Sequence, residues 1–380
     1  MRIVIAPDKF KGSLTAVEVC ESLTRGIARA SDAVAVVAVP MADGGEGTLD
    51  AAVSSGFTEH SVPVSGPLGE PAIARIGVRG SDAVVEMALA SGLALVPEDQ
   101  RDALAASSTG TGECILAALD LGATRISLAI GGSASTDGGA GMLQALGARL
   151  TRADGAVLAP GGGALAELDS VDLSGLDKRL AGTEFVLAND VSHELLGDHG
   201  AAAVFGPQKG ATPEDVARLE IGLETLVSRV DRVLPGSARF AAAPGAGAAG
   251  GVGYAALAVL GAEQQPGVDV VIAFTRLDSA IAEADLVITG EGSLDEQSLA
   301  GKTPVGVARA ATAHGVPVVA VCGRTTLSEA EWSQAGFAAC YAVTDLAPDA
   351  ATSMRDAAHY LERIGSTIAT AHLGSHDPAP

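Results

Sequence analysis

Short, unbroken apolar runs alternate with helix-forming stretches at both ends of the chain, and no other feature narrows the fold as far. Residues 2–6 form the first run, and a helix is expected from about Ala16, opened by the capping box Thr15-x-x-Glu18. A second run covers 34–39 and leads into another helical stretch. Near Ala284 the same texture returns: 285–289, 316–322 and 338–343 read as strands separated by helices, and a last helix is expected over 349–371. Runs that are apolar throughout belong to strands covered on both faces, the mark of a parallel sheet. Two such strands in front are too few for a stable sheet and three behind are marginal, whereas five match a common sheet size. The α/β expectation is a discontinuous Rossmann-like parallel-sheet domain made of residues 1–60 and 284–375.

The texture changes near Glu59. Over 60–88, short alternating runs are broken by Gly-Pro, Gly-Glu-Pro and Gly-Ser, which suggests antiparallel hairpins. A helix near 112–121, a strand over 126–130 and a glycine-rich turn into a helix around 140–146 follow. Beyond a loop-rich stretch holding Pro160-Gly161-Gly162-Gly163, Thr212 and Pro213 open a long helix. Residues 61–283 are therefore expected to form an inserted mixed α/β domain, and 376–380 a flexible tail. Two domains also suit the length, since 380 residues exceed the size at which one core stops growing. Nothing approaches the ~20 uninterrupted apolar residues of a membrane span. Asp8, Lys9 and Lys11 interrupt the first apolar run too early for a signal peptide. The four cysteines, Cys20, Cys114, Cys322 and Cys340, stand far apart without metal-binding spacing, which fits a reducing compartment. A cytoplasmic location is expected.

Charge narrows the partners. With 24 basic and 46 acidic side chains the formal net charge is −22, a field that repels nucleic acid and anionic membrane. An anionic small substrate then needs local positive charge. The chain has five lysines against nineteen arginines, and four of the five lie in glycine-bearing loops: Lys9 and Lys11 before Gly12, Lys209 before Gly210, and Lys302 after Gly301. The loops at 7–13, 41–48, 290–297 and 322–325 all leave the carboxyl ends of expected parallel strands, where such sheets bind ligands, so they are expected to share a cleft. Acids recur beside glycines in these and similar loops: Asp8, Asp43, Glu46, Asp137, Asp190, Glu291 and Asp295. Helix capping accounts for some of them. The rest suit Mg2+, which takes a few carboxylates together with substrate phosphates.

Three glycine motifs invite a nucleotide. Gly301-Lys302-Thr303 is not a Walker loop, because Glu296 stands where that motif needs glycine. Thr303 as N-cap and Pro304 as first helical residue would still place Lys302 at a positive helix end. The turn holding Gly131, Gly132 and Ser133 follows a strong strand and precedes a helix, so its N–H groups could cradle phosphate. Gly245-Ala246-Gly247-Ala248-Ala249-Gly250 matches GxGxxG, with Asp269 at about the distance of a ribose-binding acid, but 239–244 is a poor strand. An NAD(P)-dependent oxidoreductase using that loop is one rival reading. No GxSxG elbow or histidine constellation supports acyl chemistry.

Segments 8–13, 41–48, 130–142, 205–211, 244–253 and 288–307 resemble, in this order, the signature blocks of the bacterial type I glycerate kinases (glycerate 2-kinases). The resemblance spans nearly the whole chain up to about Ala371. It implies ATP-dependent phosphorylation of D-glycerate, usually on the 2-hydroxyl to give 2-phosphoglycerate, and two α/β domains with the active site in the cleft between them. There are departures. A family pattern close to Cys-Asp-Val-x-Asn-Pro-Leu reads Asn189-Asp190-Val191-Ser192-His193-Glu194-Leu195 here, Thr136 stands where Asn is common, and Lys9 where Ser is. The altered segment leaves a second rival, a non-catalytic hydroxy-acid-binding protein. On the kinase reading the catalytic candidates are Asp190, as base or hydroxyl-orienting acid, and Lys11. Asp8, Ser13 and Lys209 are substrate-binding candidates. Gly44, Gly45, Gly131, Gly132, Ser133 and Lys302 are candidates for ATP phosphates, and Asp43 and Asp295 for Mg2+. The expected partners are glycerate, ATP and, as a candidate homodimer, a second copy of the chain. Direct phosphoryl transfer leaves the protein mainly positioning and charge neutralisation.

Overall fold

In a computed structural model, which describes residues 1–373, the apolar runs from both ends of the chain lie side by side in one parallel sheet. The expected tail at 376–380 falls outside the described residues. The strands run in the spatial order Phe337–Ala342, Val318–Thr325, Leu286–Leu294, Arg2–Pro7, Ala35–Ala38. Ile3 sits opposite Leu286 and Pro7 opposite Gly290. Ile3, Val4, Ile5, Val287 and Ile288 are all fully buried, as unbroken apolar strands require. The Leu286–Leu294 strand runs five residues beyond the expected end at Thr289. Its neighbour continues beside it, with Ser293 opposite Arg324 and Leu294 opposite Thr325, so pairing carries the strand through polar and glycine residues.

Helix Ala16–Ala30 begins with its capping box: Glu18 N–H donates to Thr15 Oγ1 at 3.2 Å, and Thr15 N–H to Glu18 Oε2 at 2.8 Å. It packs closely against helix Ala357–Leu373, where Gly26 lies under the Glu362 carbonyl and Arg25 and Arg29 reach the Glu362 carboxylate at 2.7 and 2.6 Å. The expected single helix over 349–371 is two, Ala350–Arg355 and Ala357–Leu373. Asp356 leaves helical geometry between them, as aspartate does readily.

A second, six-stranded sheet runs in the order Glu263–Gln265, Glu184–Ala188, Arg125–Ala129, Asp82–Glu86, Pro71–Arg79, Thr58–Ser65. The first four are parallel; Pro71–Arg79 then pairs antiparallel to Asp82–Glu86, and Thr58–Ser65 antiparallel to Pro71–Arg79. The hairpins expected over 60–88 are present, with Val62 and Val64 turned to the core. Contacts divide the chain into two compact units, one of residues 1–43, 50–55 and those from 267 on, the other of 44–49 and 56–266. Among the described residues, no helix is long and apolar enough to cross a membrane.

Candidate functional site

In the first unit, acids gather where the parallel strands end. Asp8 follows the Arg2–Pro7 strand, its N–H donating to the Gly290 carbonyl at 2.8 Å. Its side chain is buried; Oδ2 accepts from Thr303 Oγ1 at 2.7 Å, and Oδ1 from Lys9 N–H at 2.6 Å. Burial, and next the charge of Asp43, push the Asp8 carboxyl up to about 6, against the pull of Lys9 and Thr303. Glu291 lies on the extended part of the Leu286–Leu294 strand. Burial pushes it up to about 7, Asp8 and Asp43 act the same way, and Lys302 opposes them. Its Oε1 is buried without a hydrogen-bond partner. Carboxylates that raise one another in this way favour a bound cation.

The remaining candidates of this unit are differently engaged. Asp295 caps the short helix Glu296–Leu299: Oδ1 accepts from Gln297 N–H at 3.0 Å and Oδ2 from Ser293 Oγ at 3.2 Å. Lys302, rather than Thr303, is the N-cap of helix Thr303–Ala313, because the chain stays extended only as far as Lys302; this frees the Thr303 hydroxyl for Asp8. Lys302 Nζ lies 3.4 Å from Gln297 Oε1. Lys11 is exposed in a turn closed by Ser13 N–H to the Phe10 carbonyl at 2.8 Å, and Ser13 Oγ donates to the Met354 carbonyl at 2.5 Å. Among the described residues, no three histidine, cysteine or acidic side chains stand in metal-binding geometry. Mg2+ does not require three, and the orphaned Glu291 oxygen beside Asp8 and Asp43 offers the hard oxygen donors it takes.

In the second unit, the Arg125–Ala129 strand leads into the glycine turn. Gly131 N–H approaches the Gly44 carbonyl at 3.4 Å, and a Cβ at 131 would lie 2.7 Å from Gly45 Cα, so only glycine lets these two backbones meet. Gly44 and Gly132 both take positive φ, 83° and 75°. Behind the 44–49 turn stands Glu86, which sequence reasoning missed; it is 2% exposed and accepts from Leu49 N–H at 2.9 Å and Gly47 N–H at 3.3 Å. Its signal was an acid closing an otherwise apolar strand. Lys209 is 1% exposed, with Nζ donating to Ser133 Oγ at 3.1 Å and to the Ser135 carbonyl at 2.5 Å. Burial pushes this ammonium down to about 7, with Asp137 pulling the other way. Asp137 is fully buried and clamps the turn: it accepts from Ser108 N–H and Oγ at 2.8 and 2.9 Å, Gly139 N–H at 3.1 Å and Gly141 N–H at 3.2 Å.

Asp190 follows the Glu184–Ala188 strand and is exposed, while its neighbour Asn189 turns inward to bond Val191 N–H at 3.0 Å and the Val191 carbonyl at 2.8 Å. The next helix, Ala201–Phe205, is capped by Gly200, so Asp190 does not cap it. The GAGAAG stretch follows a 3-10 turn, Ser237–Ala242, not a strand. Its glycines serve packing: a Cβ at 250 would lie 2.1 Å from the Ser135 carbonyl, and one at 247 would lie 2.1 Å from that of Glu194. Asp269 is paired with Arg309. The oxidoreductase reading loses both its loop and its acid.

Comparison with known proteins agrees across the whole chain. The model of the glycerate kinase family matches residues 3–373. The chain is 44% identical to a glycerate kinase of Bacillus subtilis (strain 168), over 97% of each chain. It is 45% identical to a glycerate 2-kinase of Escherichia coli (strain K12), over 90% of each. The crystal structure assigned as glycerate kinase 2 from Salmonella typhimurium LT2 superposes with a TM-score of 0.87 at 41% identity, covering 99% of both chains.

Proposed function

The chain belongs to the glycerate kinase family, and from that premise we propose that it carries the terminal phosphoryl group of ATP to the 2-hydroxyl of D-glycerate. The observation that carries the reading is the group of mutually repelling carboxylates Asp8, Asp43 and Glu291 at the ends of a parallel sheet, opposed by Lys9 at Asp8 and by Lys302 at Glu291. Asp43 and Glu291, two carboxylates rather than three, would hold Mg2+, and Glu291 takes the place first given to Asp295, whose carboxylate caps a helix. Bound there, Mg2+ would supply charge neutralisation for the phosphates.

The chain's own residues do the rest by positioning, since phosphoryl transfer passes through a loose transition state with little covalent work for the protein. Lys11 offsets charge on the substrate carboxylate or the moving phosphoryl group. Within the second unit, the backbones of Gly44, Gly45, Gly131 and Gly132 with the Ser133 hydroxyl offer donors to ATP phosphates; within the first, Lys302 offers them a cation. Asp190, exposed at its strand end, orients the reacting hydroxyl and accepts its proton. The 2-hydroxyl is favoured by the resemblance to glycerate 2-kinases. Phosphorus NMR of ATP, Mg2+ and D-glycerate with the protein tests the proposal. The expected products are ADP and 2-phosphoglycerate; 3-phosphoglycerate would overturn the regiochemistry, and unchanged ATP the activity.

A further inference from the structure

We infer that Lys209 is a positioning residue: from behind the glycine turn it holds Ser133 and Ser135 in place and aims the Ser133 hydroxyl at a nucleotide phosphate, without touching substrate. The inference rests on the proposed kinase reading and deepens it. Lysines ordinarily keep their charged tip in water while burying the stem. Lys209 does the reverse. It is 1% exposed, and its ammonium ends on two atoms of a turn more than seventy residues away in sequence, Ser133 Oγ at 3.1 Å and the Ser135 carbonyl at 2.5 Å.

The direction of these bonds sets what the turn can do. An ammonium has only donors, so Ser133 Oγ must accept from it. The Ser133 hydrogen is then directed elsewhere, and its donor strength is raised by the cation behind it. A hydroxyl polarised in this way at a turn of backbone N–H groups suits an anion, here the phosphate of a nucleoside triphosphate. Asp137 keeps its charge, but its carboxylate oxygens accept from Ser108, Gly139 and Gly141 rather than from the ammonium. It is also the charged group that acts on Lys209. The ammonium is held down to about 7 by burial, so its charge, and with it the polarisation, fades as pH rises through neutrality.

The test is calorimetric binding of ATP, without glycerate, to the wild-type chain, Lys209→Met and Ser133→Ala from pH 6 to 8.5, each checked for a cooperative melt. Lys209→Met should weaken ATP binding at pH 6 by about ten- to a hundredfold, the loss of one charge-assisted hydrogen bond. The ratio between wild type and variant should shrink toward pH 8.5, a comparison in which titration of ATP itself cancels. Ser133→Ala keeps the lysine and should weaken binding in the same direction, so the inference stays open to refutation if Lys209→Met does not fold. In steady state, KM for ATP should rise in both variants while KM for glycerate moves little. Folded Lys209→Met with unchanged ATP affinity, unchanged affinity in Ser133→Ala, or a rise confined to KM for glycerate overturns the inference alone. A wild-type chain that binds no ATP removes the kinase reading and the inference together.

Discussion

Lys209 and Asp190 show how far single residues speak for themselves. The scarcity of lysine beside arginine singled out Lys209, but which way its ammonium points depends on a turn that only folding brings near. Its burial also makes a stability prediction. The unfolded chain keeps the Lys209 proton up to about 10.5, whereas the folded chain releases it near 7, so between those values the unfolded state binds more protons. Stability from this group is therefore fully present above 10.5 and is lost as pH falls to 7, with a slope of up to about 1.4 kcal/mol per pH unit. Denaturant melts of wild type and Lys209→Met across pH 6–10 should show the variant's relative stability falling as pH rises; parallel curves would place the ammonium in water. Asp190 makes a kinetic prediction. Asp190→Asn keeps shape but removes the proton acceptor, so kcat should fall by about 10²–10⁴-fold with ATP affinity nearly intact. Since Asp190 caps no following helix, the thermal midpoint should hardly change; a variant that melts earlier but turns over normally would move the base to another acid.

At the scale of elements, the helix pair Ala16–Ala30 and Ala357–Leu373 rests on one missing side chain. A Cβ at Gly26 would sit 2.0 Å from the Glu362 carbonyl oxygen, backbone that cannot rotate away. Helix propensity alone favours Gly26→Ala by about 1 kcal/mol, but forcing two packed helices apart costs typically 1–3 kcal/mol or more. Net destabilisation in a denaturant melt is the expected result, and a stabilised variant would show that the helices yield. The turn at 44–49 depends in the same way on Glu86. Glu86→Gln leaves an N–H facing the Gly47 and Leu49 donors, so it should destabilise by about 1–3 kcal/mol, measured by thermal melts. Strands and capped helices were legible where apolar runs and Thr15-x-x-Glu18 announced them. The tail of the Leu286–Leu294 strand was not, because Gly290 and Gly292 look like a loop until Val318–Thr325 pairs beside them. Glu291, read from sequence as a loop acid, therefore lies on that strand, and Asp295 caps the short helix after it.

For the whole molecule, the order of strands matters more than their number. Arg2–Pro7 lies between Leu286–Leu294 and Ala35–Ala38, so the first segment of the chain supplies an inner strand and the edge strand beside it, and the last segment the other three. The core beneath it draws on both ends: Ile3, Ile5, Leu23 and Ile27 pack with Leu286, Ile288, Val319, Leu361 and Ile364. We therefore predict that the first unit folds by itself when residues 1–55 are joined through a glycine–serine linker to 267–373. Its far-ultraviolet circular dichroism should be mixed α/β and its melt cooperative. Residues 267–373 alone should not melt cooperatively, because without Arg2–Pro7 the Leu286–Leu294 strand becomes an exposed apolar edge that favours aggregation. Adding residues 1–55 as a separate chain should recover part of the cooperative signal, since parallel pairing of Ile3 with Leu286 does not require the intervening 211 residues. If the joined chain gives no cooperative transition while 267–373 alone does, the folding unit is contiguous, and the sheet forms on a scaffold that the missing residues supply.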